Sequence, residues 1–405
     1  GYGSLKEVVE KGSCCGCAAC YSACPVNAII MEADEEGFVY PRIKEHCINC
    51  GKCRKVCPVL EREKESVCVQ HGFAVQNRDV KILRESTSGG AFTAIAEYVL
   101  ENGGIVYGVS LDVELTARHI SVENRDELCK FRGSKYIQSE IGRTFLEARE
   151  ELEAGRLVCF SGTPCQIEGL LRFLGKKYDN LITVDVVCHA VPSPLAFQKY
   201  IEFRQGKLGK EKISEVRFRD KYFGYRYSNL SILNREGKII YHNGIDTDEW
   251  LRAFFSEICN RPSCYSCAFK KRYRVSDFTL WDCFDVHRVM PEADNNRGVT
   301  KVLIHSEAGY RHFQKFCRKL YYKSIDPDVL VEGAYEMTGS VKRNGSRDIF
   351  FRDMALLTGK ELYEKYFPIG FSAKFEKVVR LMAMKLGIYQ IIWKCYKRLF
   401  GNKKR

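Results

Sequence analysis

Cys14, Cys17, Cys20 and Cys24 follow one another as C-x2-C-x2-C-x3-C and are closed by Pro25. Cys47, Cys50, Cys53 and Cys57 repeat that spacing and are closed by Pro58. Three thiolates spaced this closely wrap one iron–sulfur cubane, and the fourth reaches across to a neighbouring one. The two runs therefore predict two [4Fe–4S] clusters. One is held by Cys14, Cys17, Cys20 and Cys57, the other by Cys47, Cys50, Cys53 and Cys24. Cys15 is surplus to both sets and reads as a small buried residue. Structural zinc uses two separated C-x2-C pairs per ion, which these runs do not supply. A chain of 405 residues buries a core without disulfide staples.

Such a pair of clusters moves single electrons, whereas most substrates exchange them in pairs. A flavin is the usual converter between the two, and it needs backbone amides and small residues close to its diphosphate. "TSGG" (87–90) and "SGTP" (161–164) have the composition for such turns. A second cysteine region holds Cys264-x2-Cys267, with Cys259 five residues earlier. Taken alone, that pair is compatible with half a zinc site, a redox pair or one side of a cluster.

The elements that must position these groups can be read coarsely. Residues 1–60 form a ferredoxin-like module, and the charged stretch "EREKES" (61–66) reads as a linker. From residue 67 the pattern becomes α/β. A helix follows the small-residue loop and stops at Gly103-Gly104, and strands follow over 105–112 and 117–123. A helix spans 143–155, and 156–175 reads as strand, tight turn and helix. A buried strand from 181 ends at Cys188-His189, a helix covers 194–206, and several strands occupy 213–243. The fold class is thus a small 2[4Fe–4S] module (1–60), a mixed α/β flavin-binding domain (67–330) and a C-terminal helical extension (331–405).

Five stretches occur in a characteristic order: "STSGGAFTAI" (86–95), "GSKYIQS" (133–139), "SGTPCQIEGLLRFL" (161–174), "CHAVPSP" (188–194) and "RPSCYSCAFKKRYRVSDFTLWD" (261–282). Over roughly residues 10–310 the chain resembles the beta-subunit family of coenzyme F420 hydrogenase/dehydrogenase. The resemblance implies FAD in an α/β domain, and a third [4Fe–4S] cluster held by Cys165, Cys188, Cys264 and Cys267, with Cys259 outside the set. It points to Ser88, Gly89, Gly90 and Thr93 near the diphosphate or ring, together with Gly162 and Thr163. It assigns Lys135 to offset flavin or phosphate charge, His189 to donate to the ring or tune the cluster, and Asp277 to cap a turn or bind a ribose hydroxyl. The chain departs from the family pattern at Trp281 and Asp285, where glycine is usual, and at Phe284, where tryptophan is usual. Trp281 is expected to fill space near the flavin or substrate, which bears on deazaflavin use. No residue is assigned a catalytic role, and no nickel motif of a hydrogenase is present.

The implied activity is that of an iron–sulfur flavoprotein oxidoreductase. It relays electrons between a soluble carrier, reduced ferredoxin or reduced deazaflavin, and an acceptor. The alternative is an electron-transfer subunit that docks on a separate catalytic protein. The net charge of +13 raises nucleic acid as a partner. However, residues 372–405 alone carry ten Lys and Arg against one Glu, so the excess is a feature of one tail, and nucleic acid is not expected. No apolar run is long enough to span a bilayer, and the polar start and abundant cysteines point to a reducing cytoplasm. Phe375, Val379, Met382, Leu386, Tyr389, Trp393, Tyr396 and Phe400 recur at helical spacing, predicting one apolar face over 372–400. With its basic flanks that helix suits peripheral contact with the inner face of a membrane.

Overall fold

A computed structural model describes residues 7–388 of the chain. The cysteine runs border an antiparallel hairpin of β1 (Ile29–Ala33) and β2 (Val39–Ile43). The first run enters the helix Ala19–Ala23, the second the helix Lys52–Lys55.

The body begins with β3 (His71–Asn77), β4 (Ile105–Leu111), β5 (Ala117–Val122), β6 (Val158–Ser161) and β7 (Leu181–Val186). It continues with β8 (Glu215–Asp220), β9 (Asn229–Leu233), β10 (Ile239–Asn243), β11 (Phe278–Asp282), β12 (Thr300–Ile304) and β13 (Leu320–Ile325). One eight-stranded sheet has the order β13-β3-β12-β11-β7-β6-β4-β5. It is parallel through β11, β7, β6 and β4 and antiparallel towards both edges. Central parallel strands are covered on both faces, which is why "VCFS" and "LITVDV" are nearly continuous apolar runs.

Strand alternation divides the core. Val106, Cys159, Ile182, Val184, Phe278 and Val302 face the helices Ala91–Glu101 and Glu307–Phe316. On the other face, Ile105, Tyr107, Val158 and Phe160 meet the helices Thr144–Glu153 and Pro164–Leu174, and beyond them Cys15, Cys17 and Cys20. The ferredoxin-like module is therefore built into the body's core. Gly169 shows how closely: a Cβ there would lie 2.8 Å from Sγ of Cys17. The 61–66 stretch is likewise bound down. Arg172 pairs with Glu61 and Glu63, and the amides of Arg272 and Tyr273 donate to Glu65.

A second lobe holds the antiparallel sheet β10-β9-β8. Its core joins Phe197, Tyr200, Phe218, Ile232 and Trp250 to Phe350, Met354, Leu362, Tyr363 and Phe367. Residues 347–367, expected in an extension, thus complete this lobe through the helices Arg347–Leu356 and Gly359–Tyr366.

The expected helix over 372–400 is shorter within the described residues. It runs Phe371–Lys385 and stops at Gly387, whose φ of 71° is cheap only for glycine. Ile388 N–H donates to Ala383 and Gly387 N–H to Met384, the paired bonds of a Schellman stop. Tyr389, Trp393, Tyr396 and Phe400 lie outside the described residues. Phe371, Phe375, Met382 and Leu386 are exposed. The helix grips the body instead with polar groups: Lys377 Nζ on Asn243 and Arg380 on Asp246. Among the described residues no helix is long and apolar enough to cross a membrane.

Candidate functional site

Within the module the two interleaved cysteine sets separate in space. Cys14, Cys17, Cys20 and Cys57 line one small cavity walled by Val8, Val9, Met31 and Pro41. Cys24, Cys47, Cys50 and Cys53 line another beside Pro25, Ile29 and Ile43. These are the crossed groupings that the spacing predicts. The second lies at the surface, where Cys50 and Ile48 are exposed among Lys44, Lys52, Arg54 and Lys55.

A third cavity, of about 80 Å3, opens where the parallel strands end. Cys165 reaches it from the first turn of Pro164–Leu174, and Cys188 from just past β7. Cys264 and Cys267 come from the 3-10 turn Pro262–Ser266 and the residue after it. Four thiols drawn from residues 165 to 267 thus converge, while Cys259 is buried in the second lobe's core. Burial pushes the Cys188 thiol up to about 12 and raises Cys264 and Cys267 as well, while Cys165 is raised by the neighbouring Cys15 thiol and then by burial. A bound metal would keep such buried thiols deprotonated. Among the described residues no three His, Cys, Asp or Glu side chains gather tightly enough for one metal ion. Each thiol set instead surrounds a hollow, which fits a polynuclear cluster better than zinc.

Cations crowd this third cavity. Lys270 Nζ donates to the carbonyls of Cys188, His189 and Glu336. Arg274 pairs with Asp185 at 3.0 Å beneath it. His189 holds Glu257 (2.5 Å) and Glu336 (3.0 Å), one on each ring nitrogen. Burial disfavours its charged form, but the two carboxylates prevail and raise it to about 9. His189 is therefore an imidazolium lining the cysteine cavity, with both nitrogens committed, which leaves neither to donate to a flavin ring.

Arg261 is fully buried and ties the module to this site. It donates to the carbonyl of Cys14 (2.7 Å), to Oε1 of Gln138 (2.8 Å) and to the carbonyl of Val39 (3.0 Å). Gln138 donates in turn to the carbonyl of Cys15 (3.1 Å). Cys15 lines both the cavity that holds Cys17 and the cavity that holds Cys165.

The proposed flavin residues divide. The loop holding Ser88, Gly89 and Gly90 opens the helix Ala91–Glu101, with Thr93 buried in its first turn. Ser88 Oγ donates to Val299, and Gly89 N–H donates to Thr300. The 133–136 loop packs on it, with Ser134 N–H donating to Thr87 Oγ1 at 2.8 Å. Lys135 is half-buried with its Nζ on the carbonyls of Lys130, Arg132 and Gly133. Lys221, which no motif marks, donates to the carbonyls of Leu83, Ser88 and Arg297. Burial pulls both ammonium groups down to about 7, and among the described residues neither forms an ion pair. Beside them Arg219 binds Asp282, which also accepts from Tyr225. Each ammonium spends its N–H groups on carbonyls, but neither has a carboxylate partner among the described residues and a helix N-terminus lies beside them, so this edge is compatible with an anion such as a diphosphate.

Gly162 and Thr163 lie at the same end of the sheet but next to the thiols. Thr163 Oγ1 is 3.1 Å from Sγ of Cys165, and its N–H donates to Gln166 Oε1. Asp277 is at the wrong end. It precedes β11, where it accepts from Thr183 N–H and from Ser306 Oγ, so it pins strand to helix and cannot join a ligand at the strands' C-terminal ends. Trp281 also differs from expectation. Alternation along β11 turns it away from the Ala91–Glu101 face, against Leu303, Leu330 and Met337. Phe284, which is exposed, stacks on Tyr225 and lies under Arg219. A larger cavity of about 470 Å3, between the helix Phe371–Lys385 and the second lobe, contains none of the predicted site residues.

A tandem-cysteine module fused into the face of a mixed α/β sheet, with a third thiol set at the strand ends, defines an iron–sulfur protein of the electron-transfer class. Comparison with known proteins agrees. The family described as "Coenzyme F420 hydrogenase/dehydrogenase, beta subunit" matches through its N-terminal part at residues 73–144 and its C-terminal part at 155–328. A 4Fe-4S dicluster domain matches residues 13–60. The chain belongs to this beta-subunit family and carries a 4Fe-4S dicluster domain. It is 27% identical over 269 residues to the coenzyme F420-dependent sulfite reductase of Methanocaldococcus jannaschii, spanning 65% of this chain but only 41% of that relative. It is 25% identical over 383 residues to the protein MJ1349 of the same organism, covering 86% of this chain and 98% of the relative. A chain of the F420-reducing [NiFe] hydrogenase complex from Methanosarcina barkeri aligns with a TM-score of 0.42 at 16% identity, over 74% of this chain and 91% of that one.

Proposed function

We propose that the chain is an iron–sulfur flavoprotein oxidoreductase of the cytoplasm that relays electrons between a soluble carrier and an acceptor. The observation that carries this reading is the convergence of Cys165, Cys188, Cys264 and Cys267 on a cavity lying directly against the ferredoxin-like module. In this reading the module's two cysteine sets hold one [4Fe–4S] cluster each and the body's four thiols hold a third. Ser88, Gly89, Gly90, Thr93, Lys135 and Lys221 hold FAD at the anionic diphosphate. FAD, when bound, exchanges electrons singly with clusters and in pairs with a hydride partner.

The residues divide the work. The exposed cysteine set with Lys44, Lys52, Arg54 and Lys55 at its rim offers an acidic protein carrier a basic landing surface. That favours ferredoxin over free deazaflavin at this end. Arg261 and Gln138 fix the module in register with the body. Lys270 supplies positive charge beside the inner thiols and so favours the reduced state there. The exposed apolar face of Phe371–Lys385 is proposed as a peripheral contact with an anionic membrane.

A second reading, an electron-transfer subunit serving a separate catalytic unit, is favoured by one observation. The match takes in less than half of the sulfite reductase relative, so there a comparable segment is joined to further chain.

Iron, acid-labile sulfide, zinc and flavin per chain, on protein purified without oxygen, test the proposal. About twelve irons with one FAD are expected from three four-thiol sets. Zinc without sulfide or flavin overturns it. Turnover with small acceptors then separates the two readings.

A further inference from the structure

Cys15 is absorbed by neither ferredoxin-type set, yet its surroundings are specific. The cavity of Cys14, Cys17, Cys20 and Cys57 and the cavity of Cys165, Cys188, Cys264 and Cys267 share two lining residues, Cys15 and Val59. These two buried side chains are therefore the wall between the hollows. Three features hold that wall in place. Arg261 takes the carbonyl of Cys14 and, through Gln138, that of Cys15, so the peptide is gripped on both sides. Gly16 permits the approach, because a Cβ there would meet the Arg261 guanidinium at 2.9 Å. The Cys15 side chain then faces both hollows, the one lined by Cys17 on the module side and the one lined by Cys165 on the body side.

The geometry points to Cys15 as the positioning residue for electron passage between the ferredoxin-like module and the body. It spans the gap between two thiol sets without belonging to either. This rests on the cluster reading above and deepens it by naming where the two halves of the relay connect. Cys15 is itself neither oxidised nor reduced: the one electron lost on the module side is the one gained on the body side, and no proton or bond changes hands. The polarisable sulfur fills the wall between the two hollows, where an alanine would leave a void.

The test uses the full chain, anaerobic and loaded with clusters and FAD. One electron is injected by flash photoreduction, and its distribution over the clusters is followed by freeze-quench EPR. Cys15→Ala is expected to keep the full iron and flavin content yet slow arrival at the body's cluster about tenfold. Magnetic coupling between the two clusters in the fully reduced protein should weaken in parallel. Cys15→Ser should fall between, and Cys129→Ala, at an exposed position, should match the parent. Should Cys15→Ala not fold, Val59→Ala thins the same wall and carries the same expectation. An unchanged rate with all clusters present overturns the inference. Loss of about four irons from Cys15→Ala also overturns it, by making Cys15 a ligand. A parent protein with about eight irons removes the body cluster, and the inference falls with it, a result the iron count alone identifies.

Discussion

Cys188 and its surroundings show how much a site depends on what stands just behind the ligands. Its thiol is one of four around the inner cavity, and Lys270, which has no carboxylate partner among the described residues, brings positive charge to that cavity. The hollow of Cys14, Cys17, Cys20 and Cys57 is lined by apolar residues instead. The inner cluster is therefore expected to have the higher reduction potential, which drives electrons from module to body. Replacing Lys270 with Met should lower that potential by on the order of 50 mV in an EPR-monitored redox titration. Cys264→Ser should remove about four of twelve irons and leave the ferredoxin-type pair intact. At the edge proposed for FAD, Lys135→Met and Lys221→Met should each weaken FAD binding about tenfold in a flavin titration, with iron unchanged. Without an anion those ammonium groups sit near 7, so FAD binding is expected to take up protons at pH 8.

Arg261 and the central strands act at the scale of whole elements. Arg261→Ala strands the carbonyls of Cys14 and Val39 in a buried seam and should cost about 3 kcal/mol in chemical denaturation. Arg261→Lys keeps the charge but loses the fork, so it should recover only part of that. Beneath β5 and β6, His119 bonds to Ser161 and Ser139, and burial pulls it down to about 4. His305, bonded to Thr279, is pulled down to about 3. Both stay neutral in the fold while the unfolded chain takes up protons from about 6.5 downwards. Their contribution is thus present above pH 6.5 and lost as the pH falls towards 4. Melting temperature should drop across that window, and His119→Gln should flatten the slope.

At the scale of the whole molecule, the proposed relay runs through one shared core rather than through a ferredoxin on a tether. One end is the exposed basic rim around Cys50, and the other is the edge of the large sheet proposed for FAD. The helix Phe371–Lys385 holds the body by Lys377 and Arg380 and turns Phe371, Phe375 and Met382 outward, the face proposed for membrane contact. Co-sedimentation with phosphatidylglycerol-containing vesicles should be salt-sensitive and should weaken at least about tenfold in Phe375→Asp. Equal retention of that variant would leave the face to a protein partner.

Much was legible in the chain because ligand spacing is local. A C-x2-C-x2-C-x3-C run defines its own wrapping, and alternation with helical periodicity located the helix Ala91–Glu101, β4, β5 and the strand–turn–helix around Cys165. The four inner thiols were reachable only through the resemblance, because nothing in their separations says that they meet. Tertiary structure brings them together by ending β7 and starting Pro164–Leu174 at one edge of a parallel sheet. Lone residues had no pattern to betray them. Lys221, Arg219 and Arg261 gain their roles from burial and from carbonyls distant in sequence. Asp277 and Trp281 went to other duties because position in a motif does not reveal which end or face of a strand a side chain occupies. The sequence by itself determined the metal chemistry and most elements, since both are written in short-range spacing. Only the tertiary structure decided that module and body share one core and that Cys15 stands between two thiol sets. Those facts depend on long-range packing, which no local spacing encodes.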